Sequence, residues 1–381
     1  MQVGDTIYLD YQASTPVDER VLKVMNAAST ALFANPHSAD HVLGWRAGAA
    51  IEAAAHQVAN LFGLQGDDVI FTSGASESNA MAIHTAVEVG RASQRTELLI
   101  GVADHGSILT EAKNLPAGRA KKIPVDNRGA PNSRCLDGMI TDVTALVSII
   151  GVNNENGAIA DLKDIATICR KKGVLLHVDL AQAPLAMDID LLELEVDFAT
   201  ISAHKLYGPK GIGALLTGPG VSDLVKPVIV GAGQQAGRRG GTMPTELIVG
   251  FGEACELVKD SGLAERARVS AIRDRFVKIL QEKKQIASLI GSQECRHPGN
   301  ALLRFPGQNA SELLGRLQPQ IAASTQSACA SGSIEPSHVL QAMGYDKMIA
   351  AECIRFSFGR YSTIEQADAA VAVLENAFEA A

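Results

Sequence analysis

The 381-residue chain predicts an α/β architecture: a mostly parallel sheet covered by helices on both faces, followed by a smaller C-terminal α/β unit. Three observations lead there. Unbroken, short apolar runs alternate with helical stretches through the first two thirds, the pattern of strands buried on both faces. Small and polar residues cluster after these runs. A long helical stretch, 245–284, then changes the rhythm and becomes charged in its second half, at Glu265, Arg266, Arg268, Arg273, Asp274 and Arg275.

Taken in order, Val69-Ile70-Phe71-Thr72 reads as a strand and 77–91 as the helix after it. Leu98-Leu99-Ile100-Gly101-Val102 is a second strand, with a helix from about Ser107. Leu146–Ile150 and Val174–Val178 are further strands, separated by a helix over 161–172. Phe198–Ile201 and Gly213–Leu216 complete the series. No internal repeat and no low-complexity tract interrupts it.

Ligands of open α/β sheets sit beyond the carboxyl ends of the strands, so the clusters found there are the candidates for chemistry. After the first strand, Ser73-Gly74-Ala75-Ser76-Glu77-Ser78-Asn79 would let a phosphate approach the free N–H groups of the next helix, or would simply cap that helix. His105, in Ala103-Asp104-His105-Gly106-Ser107, could stack on a ring or move a proton, or be structural. Asn153-Asn154-Glu155-Asn156-Gly157 suits a turn. Asp179 ends a buried strand, where a carboxylate needs a cation: a protonated ring nitrogen, or an unseen Arg. Ser202 and His204, two apart, would point the same way in an extended segment. Lys205 follows, a candidate amine for a carbonyl cofactor or an ordinary surface lysine, and Gly208-Pro209-Lys210-Gly211 reads as a rigid turn. A phosphate cradle, a stacking His, an acid for a ring nitrogen and an imine-forming Lys are together what pyridoxal phosphate requires.

Composition narrows the classes. With 34 Lys+Arg against 42 Asp+Glu the net charge is −8, and aromatics are 4%, so direct nucleic-acid binding is not expected. No apolar window is long enough for a membrane span, and no signal peptide is visible. The six cysteines have no metal-ligand spacing, which points to no metal site and to reduced, mostly buried thiols in a cytoplasmic protein. Cys329 is the exception, because Ser324-Thr325-Gln326-Ser327-Ala328-Cys329-Ala330-Ser331-Gly332-Ser333 reads as a mobile loop and not as core. Gly231-Ala232-Gly233-Gln234-Gln235-Ala236 matches the dinucleotide fingerprint in form, but Gly237-Arg238-Arg239-Gly240-Gly241 cannot open the helix that the fingerprint needs.

These segments resemble the cysteine desulfurases, in the class-V aminotransferase-like group of fold type I pyridoxal-phosphate enzymes. The resemblance runs along nearly the whole chain. It is carried by Tyr8-Leu9-Asp10, Asn35-Pro36-His37-Ser38, Thr72 to Asn79, Val152 to Glu155, His177-Val178-Asp179 with Gln182, and Ser202-Ala203-His204-Lys205. It continues through Arg239-Gly240-Gly241-Thr242, Gln326-Ser327-Ala328-Cys329 and Ile354-Arg355-Phe356-Ser357. The long Cys329 stretch is similar to the housekeeping and nitrogen-fixation type.

The resemblance implies a large domain, 15–258, with a seven-stranded sheet, and a small domain, 1–14 with 259–381, carrying the cysteine loop at about 324–335. It implies that Lys205 bonds the cofactor and moves the substrate's Cα proton, that Asp179 pairs with the ring nitrogen, and that Gln182 bonds the ring oxygen. His105 would stack on the ring and act as base for the Cys329 thiol. Ala75, Ser76, Ser202 and His204 would hold the phosphate, with Thr242 arriving from the neighbouring subunit of a homodimer. Arg355 would clamp the carboxylate of L-cysteine, assisted by Asn154, with Asn35 near the substrate. Cys329 would take the sulfur as a persulfide for a protein acceptor serving iron–sulfur assembly, tRNA thiolation or DNA phosphorothioation. Another reaction on this fold (selenocysteine lyase, aminotransferase, epimerase) and a sulfur-relay scaffold remain alternatives. The chain departs from the family at Tyr11-Gln12-Ala13-Ser14, at Ser76, at Gln234-Gln235 and at Asn156.

Overall fold

The apolar runs pair into one seven-stranded sheet in the computed structural model of the chain, which describes residues 1–325 and 337–379. The strand order is Val69–Thr72, Gly213–Thr217, Phe198–Ser202, Leu175–Asp179, Thr144–Ile150, Glu97–Gly101 and Ala120–Ile123. Gly213–Thr217 runs antiparallel to both of its neighbours, and the remaining pairs are parallel. All strands except Gly213–Thr217 therefore end on one side of the sheet. Both faces of the sheet are covered: every residue of Thr144–Ile150 and of Phe198–Ser202 is buried.

The crossover helices carry their own start and stop signals. Asp161 accepts from the Asp164 N–H and caps Leu162–Lys172, which ends on Arg170, Lys171 and Lys172 followed by Gly173 at φ 60°. The edge strand Val69–Thr72 is protected by a side chain. Gln235 accepts from the Phe71 N–H at 2.8 Å and donates to the Phe71 carbonyl at 2.8 Å. Gln234–Gly237 forms only a short turn, as the glycines around it require, so the dinucleotide fingerprint is absent in structure as well.

A second apolar core lies under an antiparallel sheet of Ser288–Leu289, Asn300–Arg304, Cys353–Ser357 and Ser324–Thr325. There Phe276 packs against Phe356 and Phe358, with both ring pairs at 5.2 Å. The helix Thr245–Lys278 serves both cores: Ile248, Phe251, Cys255 and Val258 enter the first, and Val269, Ile272, Phe276 and Val277 the second. The chain's beginning also belongs to the second core, through Ile7 and Leu9. Thr6–Tyr8 pairs in parallel with Ile321–Ala322.

A buried ion network ties the two cores together. The Asp18 carboxylate caps the helix Glu19–Ala31 and accepts from Arg20 Nε at 2.9 Å, Arg360 Nη1 at 2.7 Å and Tyr361 Oη at 3.1 Å. Arg360 also donates to Glu265 of the long helix at 2.7 Å. Removing one member of such a network strands the others in low dielectric. Asp18→Asn keeps the cap but not the charge. We expect it to cost about 2–3 kcal/mol in urea unfolding at neutral pH; a loss under about 0.5 kcal/mol would mean the network contributes no more than surface pairs do.

Candidate active site

Beyond the strand ends lies a cavity of about 660 Å³, between the large sheet and Cys353–Ser357 of the small one. Ala75, Ser76, His105, Asn154, Asp179, Gln182, Ser202, His204, Lys205 and Arg355 all line it. Two predicted residues do not. Asn35 is exposed and accepts from the His37 N–H at 3.0 Å, while Thr242 is exposed on the loop that follows Arg239. Cys329 lies outside the described residues, as does the 324–335 loop apart from Ser324–Thr325.

Asp179 ends the central strand Leu175–Asp179 and is 3% exposed. Its oxygens accept from Asn79 Nδ2 at 2.9 Å and the Ala181 N–H at 3.0 Å, and no described residue forms a salt bridge to it. Asn79 Nδ2 also reaches Ser107 Oγ at 3.0 Å, and Ser107 Oγ meets His105 Nδ1 at 2.9 Å. His105 Nδ1 further accepts from the Ser107 N–H at 3.2 Å, which assigns the proton of the neutral ring to Nε2. Burial, helped by the nearby Lys205 and His338 charges and opposed by Asp179, holds His105 below the usual histidine range.

The helix Ala75–Ala92 begins on Gly74, which has φ 152° and no side chain capping it. A Cβ on Gly213 would strike Gly74 Cα at 2.8 Å, so a glycine in the neighbouring strand is what lets this turn sit close to the sheet. Among the described residues, the Ser76 and Ser202 hydroxyls have no hydrogen-bond partner. Glu77 accepts from Arg239 Nε at 2.8 Å and the Ser73 N–H at 2.7 Å, which draws the 231–242 loop over the helix start. The strand ends at Ser202, and Ala203–Lys205 forms a short helical turn instead of the extended segment expected; Ser202 and His204 nevertheless face the same cavity.

Lys205 Nζ donates to the carbonyls of Gln12 at 2.6 Å and Ala13 at 2.8 Å. Gln182 Nε2 donates to the same Gln12 carbonyl at 2.8 Å. His204 Nδ1 sits 3.3 Å from Ser14 Oγ, and burial with the Lys205 and Lys210 charges lowers its pKa to about 4. Arg355 donates to the Asn154 carbonyl at 2.6 Å and to the Asp10 carboxylate at 2.8 Å, and its buried Nε has no partner among the described residues. Glu155 accepts from Ser337 Oγ beside Arg355, and burial raises its carboxyl pKa.

The residues fit pyridoxal phosphate. A buried carboxylate to which no described residue forms a salt bridge, the Ser76 and Ser202 hydroxyls without a partner among the described residues, and an amine in the same cavity suit its pyridine, phosphate and aldehyde in turn. Sequence reasoning gave no role to the N-terminal segment 10–15, although every residue from Asp10 to Thr15 contacts Arg355, Gln182, His204, Lys205, Tyr207 or a neighbour of these. Asn79 enters the sequence reading only within the Ser73–Asn79 cluster, as phosphate cradle or helix cap, and not as a partner of Asp179; its position one helical turn beyond Ala75, on the side facing the next strand end, is the available signal. Of the other cysteines, Cys169, Cys255 and Cys353 are buried, Cys135 is half-buried and Cys295 is exposed. Among the described residues no cluster of three metal-ligating side chains occurs, and no helix is long and apolar enough to cross a membrane.

Residues 7–370 match the family model described as aminotransferase class-V. The chain is similar to "Cysteine desulfurase IscS" of Rickettsia bellii, 39% identical over 370 residues, covering 97% of this chain and 90% of that protein. Among solved structures, a "NIFS-like protein" superposes with a TM-score of 0.90 at 33% identity, covering 98% of each chain. "SspA in complex with cysteine" superposes with a TM-score of 0.80 at 31% identity, covering 94% of this chain and 100% of that one.

Beneath Asp179, the ring of His177 bridges Ser148 Oγ at 2.8 Å and Thr200 Oγ1 at 3.0 Å on the two flanking strands. Burial lowers its pKa to about 4, against about 6.5 in an unfolded chain. The unfolded state therefore takes up this proton first. The associated stability is present above about pH 6.5 and is lost as pH falls towards 4, to the extent of about 3 kcal/mol. The urea midpoint should drop through that window, and less steeply in His177→Gln; equal slopes in the two proteins would refute the assignment.

Proposed function

Since the chain belongs to the cysteine desulfurases of the class-V aminotransferase family, we propose how its own residues divide the work of taking sulfur from L-cysteine. Pyridoxal phosphate, on which the family depends, supplies an electron sink for the carbon skeleton of the amino acid. Lys205 holds the cofactor through its amine and later moves the substrate's Cα proton. Asp179 would keep the positive ring nitrogen paired, steadied by Asn79, and Gln182 would hydrogen-bond the ring oxygen. Ala75, Ser76, Ser202 and His204 receive the phosphate. The observation that carries this reading is the meeting of Lys205 with a buried Asp179 in one cavity, where no described residue supplies Asp179 with a cation.

Arg355 binds the substrate carboxylate, with Asn154 beside it. His105 would stack on the ring. It would serve as base for the Cys329 thiol and as proton shuttle, its ring oriented by the Ser107 N–H that donates to Nδ1. Cys329 Sγ, as thiolate, takes the sulfur of L-cysteine; a persulfide forms on it, the Cβ–S bond breaks and the carbon skeleton leaves as L-alanine. The persulfide then passes to an acceptor protein in the cytoplasm.

A second copy of the chain completes the site. Thr242 stands exposed, outside the cavity of its own chain, and from a neighbouring copy it would close the phosphate cradle. The exposed side chains Phe33, Trp45 and Val230, at 73%, 59% and 81%, support such an interface. Asn35 belongs to the same exposed stretch as Phe33 and reaches substrate only in that assembly.

Borohydride reduction of the purified enzyme should fix the cofactor to Lys205 and to no other peptide. Cys329→Ala should retain the cofactor's absorbance yet lose persulfide formation by at least about 100-fold. A tag elsewhere, or persulfide retained in that variant, would refute the reading.

A further inference from the structure

The carboxylate pocket already contains a carboxylate. Asp10 lines the cavity, and its Oδ1 accepts from Arg355 Nη2 at 2.8 Å. Its Oδ2 accepts from Ser324 Oγ at 2.7 Å, and its backbone bridges Ser357 on the strand of Arg355. The Arg355 and Asp10 side chains are 7% and 18% exposed, so the guanidinium has a counter-charge before any ligand arrives. A guanidinium offers a carboxylate two parallel forks, Nε with Nη2 and Nη1 with Nη2. Both include the nitrogen that Asp10 holds.

We propose that Asp10 is an internal counter-carboxylate that sets how tightly the site retains carboxylate-bearing amino acids. It orients Arg355 through one hydrogen bond. By its charge it weakens any ligand carboxylate that takes the other N–H of the same nitrogen, because like charges placed side by side in a partly buried site disfavour each other. Substrate and product carry the same carboxylate. The residue thus trades affinity for release of L-alanine. This rests on Arg355 being the carboxylate anchor proposed above.

Asp10→Asn separates charge from position. The amide oxygen still accepts from Arg355 Nη2, and the amide nitrogen donates to Ser324 Oγ. In calorimetric titration of the purified holoenzyme, Asp10→Asn should bind L-alanine roughly tenfold more tightly than the parent. L-Alaninamide, which lacks the carboxylate, should bind both proteins alike, and KM for L-cysteine should fall with the L-alanine Kd. Unchanged or weaker L-alanine binding, or equal tightening for both ligands, overturns the proposal. Arg355→Ala tells the two failures apart. If it abolishes L-alanine binding while Asp10→Asn changes nothing, the anchor stands and the Asp10 role falls; if L-alanine binding survives it, the anchor assignment falls and this proposal with it. Should Asp10→Asn not accumulate as folded protein, the smaller neutral Asp10→Ser is titrated in its place and read by the same outcomes.

Discussion

A carboxylate buried at the end of a central strand, with no cation from the described residues to neutralise it, is the constraint around which the site is organised. Its energetic cost is met in part by the Asn79 amide and the Ala181 N–H, and the remainder calls for a positive partner from outside the chain. The surroundings follow from that. Asn79 must face the sheet, so the helix Ala75–Ala92 must start close to it, and Gly74 and Gly213 make that approach possible. Ser107 must bridge Asn79 and His105, which assigns the tautomer of the ring at the next strand end. His177 braces the strand from below through two hydroxyls on its neighbours.

The opposite wall is built by the segment 10–15 as it passes between the two cores. Its carbonyls at Gln12 and Ala13 hold the Lys205 amine, Ser14 meets His204, and Thr15 is bound to the His204 carbonyl and the Tyr207 N–H. Gln12 also accepts from Asn300 of the small sheet at 2.6 Å, so the lysine's holder is anchored in both halves of the molecule. The site is therefore a joint between two cores, and the Asp18–Arg360–Glu265 network keeps that joint closed.

Much of this was legible in the sequence, because burial on both faces leaves unbroken apolar runs and caps leave Asp, Asn and Gly at fixed places. The central strands emerge within one to two residues of their expected bounds. The strand Ala120–Ile123 was not, since at the sheet edge Lys121 and Lys122 face water and break the apolar pattern. The reversed direction of Gly213–Thr217 was readable in principle: ten residues after Ser202 leave no room for a helical crossover. Apart from Asn154 beside Arg355, which the resemblance implies, the partners of Lys205 and Arg355 were not readable. They are contacts across about 190 to 345 positions, three of them through backbone carbonyls, which carry no residue signature.

The pairing of Thr6–Tyr8 with Ile321–Ala322 has a consequence for biogenesis. One of the first strands to leave the ribosome must wait for one of the last, on the order of tens of seconds at ordinary translation rates. None of the seven strands of the large sheet comes from that segment, so the sheet's own pairing does not depend on it. The carbonyls that grip the Lys205 ammonium do, because the thread bearing them is pinned at its outer end by residues not yet translated. Catalytic competence is thus a late product of synthesis: the thread that holds Lys205 is tied to His204 and Tyr207 at one end, and its other end is pinned only once position 321 has been made.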